Sequence, residues 1–389
     1  MAHFSERALT SDPPPPPRPD REGKAAKPRI ALVAPSLAVV GGQGIQACAL
    51  REGLQDDGYR VEFIPINPRF PFFLSPLRRV PVVRTLLNQI LFLPRLWRLC
   101  PADIAQVFSA SYWSFLLAPV PAILVARAAR TKVILHYHSG EADDHLTRWG
   151  ALVHPWLRLV DQIVVPSEYL REIFARHGYH ARVIPNVVET TRFQYRERTP
   201  LRPRLLSTRH LEPYYGVETV LRAFALLRKR YPEATLTIAG MGSQEPRLRQ
   251  LAGELGVAPA FVGRIDPEVM PAVYDAADIF VNASVVDNQP VSLLEALAAG
   301  LAVVSTPTGD IPAMLRAGTA GRLVPHADPA AMADAITNLL ENPAEAIRMV
   351  ECARREIERY TWPRIGPEWD ALFEGLRRPR PSHKDEEVA

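Results

Sequence analysis

Cysteine is scarce in this sequence, with three residues among 389. Cys48, Cys100 and Cys352 lie far apart and show neither the ligand spacing of a zinc site nor the density of a disulfide framework. This composition excludes a small disulfide-stabilised scaffold. It favours a reducing compartment, so we expect a cytoplasmic protein.

The N-terminal region lacks the apolar run of a signal peptide. Pro13–Pro17 are five consecutive prolines, and a segment of this composition cannot form a packed core. We therefore expect residues 1–28 to be a disordered proline-rich tail and residues 377–389 to be a second polar tail.

The first predicted strand, Pro28–Pro35, is not followed by a compact Gly-x-Gly-x-x-Gly with a downstream acid, which argues against a dinucleotide oxidoreductase. It is followed by Gly41, Gly42, Gln43 and Gly44, which are predicted to open a helix. Glycine there lets the backbone approach a ligand closely. A plain strand-to-helix turn explains the same residues.

The remaining composition is that of a globular protein with a mildly basic surface. The chain is 47% hydrophobic, has a net charge of +4 and is long enough for two α/β domains. Ile104–Ala126 carries no charge, but Pro119 and Pro121 favour a buried strand, loop and helix over a membrane span. No feature indicates a nucleic-acid partner.

One arginine-rich segment, Phe70–Arg98, interleaves aromatic residues and leucines with basic side chains. Such a segment can lie on an anionic membrane leaflet. An ordinary helix with arginines on its solvent-exposed face explains the pattern equally well. The arginines are Arg78, Arg79, Arg84, Arg95 and Arg98.

The most informative stretch is Asp278–Thr306, which predicts a right-handed βαβ unit. Ile279–Val281 is a β-prone run, and Pro290 is expected at the first helical position. Gly300 is placed to end the helix, and Leu301–Val304 resumes an apolar strand.

Two carboxylates, Asp287 and Glu295, lie eight residues apart around the start of this helix. A helix N-terminus attracts anions, so its amides would bind phosphate while the carboxylates accept hydrogen bonds from sugar or ribose hydroxyls. The alternative is two solvated acids beside a helix start. The other candidate ligand-binding residues here are Asn288, Val291, Ser292 and Leu293.

The pattern Asp-x7-Glu followed by A-L-A-A-G-x-A-V-V resembles the E-x7-E motif of family 4 retaining glycosyltransferases. That family has the GT-B fold, so the resemblance implies two facing Rossmann-like domains with mostly parallel sheets and an interdomain cleft. It places Glu295 at the nucleotide ribose and the first acid near the transferred sugar. Here the first acid is Asp287, one methylene shorter than the usual glutamate.

Weaker motifs follow in the family's order from Pro28 to Trp362. The resemblance places Gly41 and Gly42 where the acceptor and the diphosphate meet. Val133–Gly140 predicts a strand ending in two histidines, and alternation puts His136 and His138 on one face, so strand geometry does not choose between them. A strand-end histidine is more often simply hydrogen-bonded than catalytic. The family's H-S-G pattern favours His138.

In the second half, Arg209 corresponds to the arginine of the family's Gly-Arg-Leu…Lys-Gly phosphate loop. A guanidinium can bridge two phosphate oxygens of a diphosphate. Tyr215 stands where the family has lysine, and the spacing to the following glycine is one residue longer. Arg264 is the nearest candidate to replace the missing cation, and Gly240 belongs to a strand-and-glycine turn matching the family.

The resemblance implies transfer of a hexose-type sugar from a nucleoside diphosphate sugar to an acceptor hydroxyl with retention of configuration, in surface glycan or glycolipid synthesis. The sequence has no Asp-x-Asp pair, so no metal or other cofactor is expected. The expected catalytic residues are His138, Asp287, Glu295 and Arg209. A sugar-nucleotide epimerase and a non-catalytic sugar-nucleotide-binding protein of the same fold remain open alternatives.

The expected layout has an acceptor domain, a donor domain, and a C-terminal helix that crosses back to the first domain. The expected location is the cytoplasm, with peripheral contact at the inner membrane face through residues 70–98. The ranges are 1–28 (tail), 29–190 (acceptor domain), 200–361 (donor domain), 362–376 (helix) and 377–389 (tail).

Overall fold

A computed structural model describes residues 27–36, 41–68, 70 and 80–377. The two predicted tails are residues 1–28 and 377–389, and all of their residues except 27, 28 and 377 lie outside the described residues, as do Arg78 and Arg79 of the arginine-rich segment. The chain forms two sheets, one in residues 29–183, called the first half, and one in residues 204–357, called the second half.

The first half is built on a six-stranded parallel sheet with the order β2-β1-β3-β4-β5-β6. The apolar runs that form it are buried on both faces by helices, as parallel sheets require. Its strands are β1 Arg29–Ala34, β2 Arg60–Pro65, β3 Ile104–Ser109, β4 Lys132–Tyr137, β5 Gln162–Val165 and β6 Ala181–Val183. Its helices are α1 Gly42–Asp56, α2 Pro81–Phe92, α3 Trp113–Leu117, α4 Pro119–Ala128, α5 Ala142–Arg148, α6 Gly150–Leu157 and α7 Glu168–Arg176, with a 3₁₀ turn at Leu93–Leu99.

The second half repeats this plan with a parallel sheet of order β12-β11-β10-β7-β8-β9. Its strands are β7 Arg204–Ser207, β8 Thr235–Ala239, β9 Ala260–Gly263, β10 Ile279–Asn282, β11 Ala302–Ser305 and β12 Arg322–Leu323. Its helices are α8 Val217–Arg230, α9 Glu245–Glu254, α10 Met270–Asp275, α11 Val291–Ala298, α12 Ile311–Met314, α13 Pro329–Glu341 and α14 Pro343–Ile357.

The last helix, α15 Trp362–Leu376, packs on the first sheet. Ile365, Trp369 and Phe373 share one buried cluster with Ile30 and Leu32 of β1. The chain therefore returns from the second half to the first, and its C-terminal helix ties the two together through apolar burial.

The predicted βαβ unit is present as β10, α11 and β11, with one difference at the helix start. Pro290 has φ −69° and ψ 120°, so it is the extended residue before the helix and α11 begins at Val291. The carbonyl of Pro290 accepts the N–H of Leu293 at 3.1 Å, as a capping residue does. Gly300 follows the helix with φ +78°, the left-handed conformation of a C-terminal stop.

The charge-free stretch Ile104–Ala126 forms the fully buried strand β3 and the helices α3 and α4, as its prolines indicate. Within the described residues, no helix combines the length and apolar character needed to cross a membrane.

A candidate active site between the two sheets

A cleft of about 960 Å³ lies between the two halves. Its walls are loops that follow β1, β3, β4 and β6 in the first half and β7, β8, β9 and β10 in the second. Ligands of open parallel sheets bind beyond these carboxyl ends. The fold therefore brings the ends of eight strands to one site.

Eleven of the twelve residues predicted to form the site line this cleft. They are Gly41, Gly42, His138, Arg209, Gly240, Arg264, Asp287, Asn288, Val291, Ser292 and Glu295. Leu293 is the exception. Its side chain is fully buried in the second-half core, and its N–H donates to the carbonyl of Pro290, so it is turned away from the cleft.

Arg209 is held at the start of α11 by contacts on several sides. It forms an ion pair with Asp287, and its Nη1 donates to Ser292 Oγ at 2.9 Å. The ring of Tyr215 lies under the guanidinium, with Cζ 4.3 Å from the ring centroid. Arg209 is 8% exposed, and its Nε is buried without a hydrogen-bond partner.

Asp287 is fixed by short-range hydrogen bonds besides its pair with Arg209. Its carboxylate accepts from Ser284 Oγ and from the N–H of Asn288, both at 3.0 Å. The loop after β4 contacts Asp287 at Gly140. A Cβ on Gly140 would lie 2.6 Å from the carbonyl oxygen of Asp287, so a residue larger than glycine does not fit there. The two halves thus meet at the first acid of the motif.

Glu295 occupies a different environment, buried about one helical turn after Val291, the first residue of α11. Its Oε2 accepts a hydrogen bond from the hydroxyl of Tyr274 at 2.8 Å. Burial raises the pKa of Glu295 to about 7, although the Tyr274 hydrogen bond and Arg192 lower it. Sequence analysis did not identify Tyr274, because a tyrosine in a short amphipathic helix is typical of a core position.

His138 lines the cleft, whereas His136 lies beneath it. The His138 ring stacks on Phe108 with centroids 4.9 Å apart, and the His136 ring is 4.1 Å away. Burial lowers the pKa of His138 to about 3, so its ring is neutral at physiological pH. Its Nε2 is buried without a partner. His136 instead contacts the amide of Gln106 through Nδ1 at 3.2 Å.

Two glycine positions bring backbone close to the site. A Cβ on Gly42, at the start of α1, would lie 3.6 Å from the Val291 side chain, so α1 and α11 direct their N-termini at the same space. Gly240 has φ +158°, and a Cβ there would lie 2.0 Å from the carbonyl of Arg209. The two helix N-termini supply N–H groups and partial positive charge suited to an anion.

The first half also contributes polar residues that sequence analysis did not single out. Ser111 and Ser139 share a hydrogen bond of 2.6 Å, and Tyr112 donates to Asp144 at 2.6 Å. Tyr112 has φ +55°, an uncommon conformation for a bulky residue and one often found at functional sites. Ser111, Tyr112, Ser139 and Glu141 line the cleft from the first half. Asp144 does not line it but accepts the hydrogen bond of Tyr112.

A network around Gln289 joins the halves beside the cleft. Its Oε1 accepts from the N–H of Asn186 at 2.7 Å, and its Nε2 donates to the carbonyl of Pro166 at 2.8 Å and to Asp310 at 3.0 Å. Ser167 adds a hydrogen bond to Asn288. Among the described residues, no three His, Cys, Asp or Glu side chains cluster as metal ligands do.

Comparison with solved structures identifies the fold. Sucrose-phosphate synthase from Thermosynechococcus elongatus superposes with a TM-score of 0.72 at 20% identity, covering 90% of this chain and 99% of that one. Anabaena HepE in complex with UDP and glucose gives a TM-score of 0.68 at 16% identity over 89% and 99%. The fold is therefore GT-B, the fold of a class of glycosyltransferases.

Sequence comparison identifies the family. Residues 40–192 match Glycosyltransferase Family 4, and residues 202–342 match Glycosyl transferases group 1. The chain is 27% identical to phosphatidyl-myo-inositol mannosyltransferase of Mycolicibacterium smegmatis over 89% of its length and 93% of the relative's. It is 29% identical to glycogen synthase of Mycobacterium tuberculosis over 67% and 68%.

The chain belongs to glycosyltransferase family 4, the glycosyl transferases group 1. It is an enzyme that transfers a sugar from a nucleotide sugar, as the sequence motifs predicted.

Proposed function

We propose that this enzyme transfers a hexose-type sugar from a nucleoside diphosphate sugar to an acceptor hydroxyl with retention of configuration. The observation that carries the proposal is the Arg209 guanidinium, buried at the start of α11 with one N–H unpaired. A buried donor without a partner is costly, and a phosphate oxygen is the acceptor that suits a cation at a helix N-terminus. Asp287 and Glu295 flank this position.

Each residue of the candidate site has a separate chemical role. Arg209 and the first-turn amides of Val291 and Ser292 bind the diphosphate and stabilise its charge as it leaves. Asp287, whose carboxylate lies beside this position, accepts a hydrogen bond from a hydroxyl of the transferred sugar. Glu295 binds the ribose, and neutral His138 orients the sugar by hydrogen bonding.

Retention follows if the acceptor oxygen attacks the anomeric carbon from the face that the diphosphate leaves. The bond from the anomeric carbon to the phosphate oxygen breaks, the bond to the acceptor oxygen forms, and the leaving phosphate takes the acceptor proton. Exclusion of water from the cleft limits donor hydrolysis.

We further propose a glycolipid acceptor at an anionic membrane surface. The relatives named phosphatidyl-myo-inositol mannosyltransferases support a lipid-linked acceptor. In this chain, α2 and the following turn expose a row of apolar side chains, each 45–70% exposed and spaced as one helix face requires. This apolar ridge consists of Val82, Leu86, Ile90, Leu93 and Trp97.

Charge on the same segment matches an anionic surface. Arg84 is exposed, Arg98 is exposed and paired with Glu62 at 3.0 Å, and residues 63–102 contain no aspartate or glutamate. A basic amphipathic helix binds such a surface through apolar burial and attraction to anionic headgroups. Of the two explanations for the arginine-rich segment, the exposure of the ridge favours membrane contact.

The test is isothermal titration of the purified protein with UDP, GDP, ADP and their sugars. We expect one diphosphate to bind and both Arg209→Ala and Glu295→Ala to weaken it at least tenfold, since each removes a contact to the nucleotide. Arg222→Ala, which removes an exposed arginine paired with Glu218 on α8, is the matched control and should bind normally.

Product analysis separates the alternatives. Incubation with donor alone should leave the donor sugar unchanged, whereas formation of an epimer would identify a sugar-nucleotide epimerase. Binding without transfer to any hydroxyl acceptor would indicate a non-catalytic sugar-nucleotide-binding protein. Failure to bind any of these nucleotides would contradict the proposed function.

A further inference from the structure

Tyr215 lies on a loop that is tightly fixed against the segment leading to Asp287. Gly216 has φ +63°, and a Cβ there would lie 2.1 Å from the carbonyl of Ala283, so the loop passes that backbone at contact distance. The N–H of Val285 donates to the carbonyl of Tyr214 at 2.8 Å. The position of the Tyr215 ring is therefore set by backbone contacts with the strand end that precedes the first acid.

The ring meets the face of the Arg209 guanidinium. Arg209 Cζ lies 4.3 Å from the ring centroid, within the range of a cation–π contact. Nη1 of the guanidinium donates to Ser292 and Nη2 pairs with Asp287, whereas Nε is buried without a hydrogen-bond partner. With one face and both terminal nitrogens of the guanidinium in contact, the Nε N–H has a fixed direction, as recognition of an anion requires.

We propose that Tyr215 is a positioning residue that holds the Arg209 guanidinium of the diphosphate site by stacking. This inference rests on the proposed function, because it assigns the ligand of Arg209 as a diphosphate. A cation at position 215 would instead lie close to Arg209 and repel it. Tyr215 therefore contributes to the site by holding Arg209, and its presence means more than the absence of a second cation.

The experiment compares Tyr215→Phe, Tyr215→Leu and Tyr215→Lys with the wild type. Titrations with UDP, GDP, ADP, their monophosphates and inorganic pyrophosphate give the dissociation constants. Tyr215→Phe keeps the aromatic face and should bind diphosphate within about twofold of the wild type. Tyr215→Leu keeps apolar bulk without the π-face and should bind about 2- to 30-fold more weakly, the range of a cation–π contact.

Tyr215→Lys decides between the two explanations of this position. Stacking predicts weaker diphosphate binding than in the wild type, whereas simple loss of a cation predicts tighter binding. Monophosphate binding should change less in all three variants, which a general structural defect would not produce. Thermal midpoints without nucleotide establish that each variant is folded.

Two results would overturn the role of Tyr215 while leaving the proposed function standing. These are diphosphate binding by Tyr215→Leu as tight as by Tyr215→Phe, and tighter binding by Tyr215→Lys. If the folded wild type bound no diphosphate, pyrophosphate included, both the role of Tyr215 and the proposed function would be rejected.

Discussion

The two acids of the motif are close in sequence but differ in how their charge is stabilised. Asp287 is paired with Arg209 and accepts further hydrogen bonds, so its carboxylate has compensation within the site. Glu295 is buried against a tyrosine hydroxyl, and its raised pKa reflects desolvation. Asp287 is therefore an acid paired with a cation, whereas Glu295 is a buried acid with a raised pKa.

The raised pKa of Glu295 predicts a pH-dependent stability. The group's pKa is 4.5 without perturbation and about 7 when buried, so the native state binds the proton more tightly than the unfolded state. The contribution of Glu295 to the free energy of unfolding is complete below pH 4.5 and is lost as the pH rises through 7. The loss is roughly 3 kcal/mol.

Glu295→Gln should remove this dependence, because an amide does not ionise. Between pH 5 and pH 8, the urea midpoint of the wild type should fall more than that of the variant. Exposed Glu254→Gln on α9 is the matched control and should follow the wild type. Parallel pH profiles for the wild type and Glu295→Gln would contradict the assignment of a protonated Glu295.

At the scale of elements, a glycine allows α1 and α15 to pack closely. A Cβ on Gly53 would lie 2.4 Å from the indole ring of Trp362, and Trp362 is anchored because its Nε1 donates to Asp57 at 3.0 Å. The side chain therefore has little freedom to move away. Gly253 in α9 is the opposite case, with no atom within 4 Å of a built Cβ.

Gly53→Ala and Gly253→Ala should change stability in opposite directions. Alanine in a helix is favoured over glycine by about 1 kcal/mol, so Gly253→Ala should stabilise the protein. Gly53→Ala should destabilise it by about 1–3 kcal/mol, because overpacking exceeds the helix preference. Thermal midpoints of the two variants measure this, and a higher midpoint for Gly53→Ala would show that α15 does not pack as described.

The apolar ridge on α2 predicts membrane binding that needs both its apolar and its basic residues. The double variant Leu86→Gln with Ile90→Gln should lower cosedimentation with phosphatidylglycerol vesicles about tenfold, since two exposed apolar side chains no longer enter the bilayer. Arg84→Glu should lower binding to these vesicles but not to phosphatidylcholine vesicles.

The matched control for the ridge changes two exposed apolar positions of the second half, Leu226→Gln with Val269→Gln. It should bind vesicles like the wild type. Unchanged vesicle binding by the ridge variant would exclude this surface. A wild-type dimer in light scattering that the ridge variant abolishes would show that a second copy covers the ridge instead.

At the scale of the whole molecule, Gln289 links the halves from the loop that carries Asp287. Both of its amide protons and its oxygen are used, with partners on β5 and β6 strand ends and on Asp310. Separation of the halves would break the contacts to Pro166 and Asn186. Closure of the cleft and placement of Asp287 are thereby coupled through one side chain.

Gln289→Ala should therefore weaken closure by about 2 kcal/mol, at about 1 kcal/mol for each of the two side-chain hydrogen bonds that join the halves. With nucleotide bound, we expect a larger radius of gyration in small-angle X-ray scattering and a kcat lowered at least fivefold. Gln250→Ala, which removes an exposed glutamine bonded to Glu254, is the control. Equal radii for Gln289→Ala and the wild type would show that this link does not hold the halves together.

The sequence by itself determined the local elements and the order of motifs. The strand runs around Ile30 and Ile279 and the helix stop at Gly300 follow from apolar patterning and from the backbone preferences of glycine, which act between neighbours in the chain. The family resemblance selected most of the candidate site residues, and local rules place many of them after strand ends, where the carboxyl edge of a parallel sheet collects its loops.

Only the tertiary structure decided how those residues meet. Gln289 contacts a carbonyl 123 positions away, and Arg209 contacts Ser292 across 83 positions, distances at which periodicity carries no information. Helix packing turned Leu293 into the core and left the α2 ridge exposed. The stacking of Tyr215 on Arg209 and the burial of Glu295 against Tyr274 arise in the same way, because long-range packing sets desolvation and contact geometry.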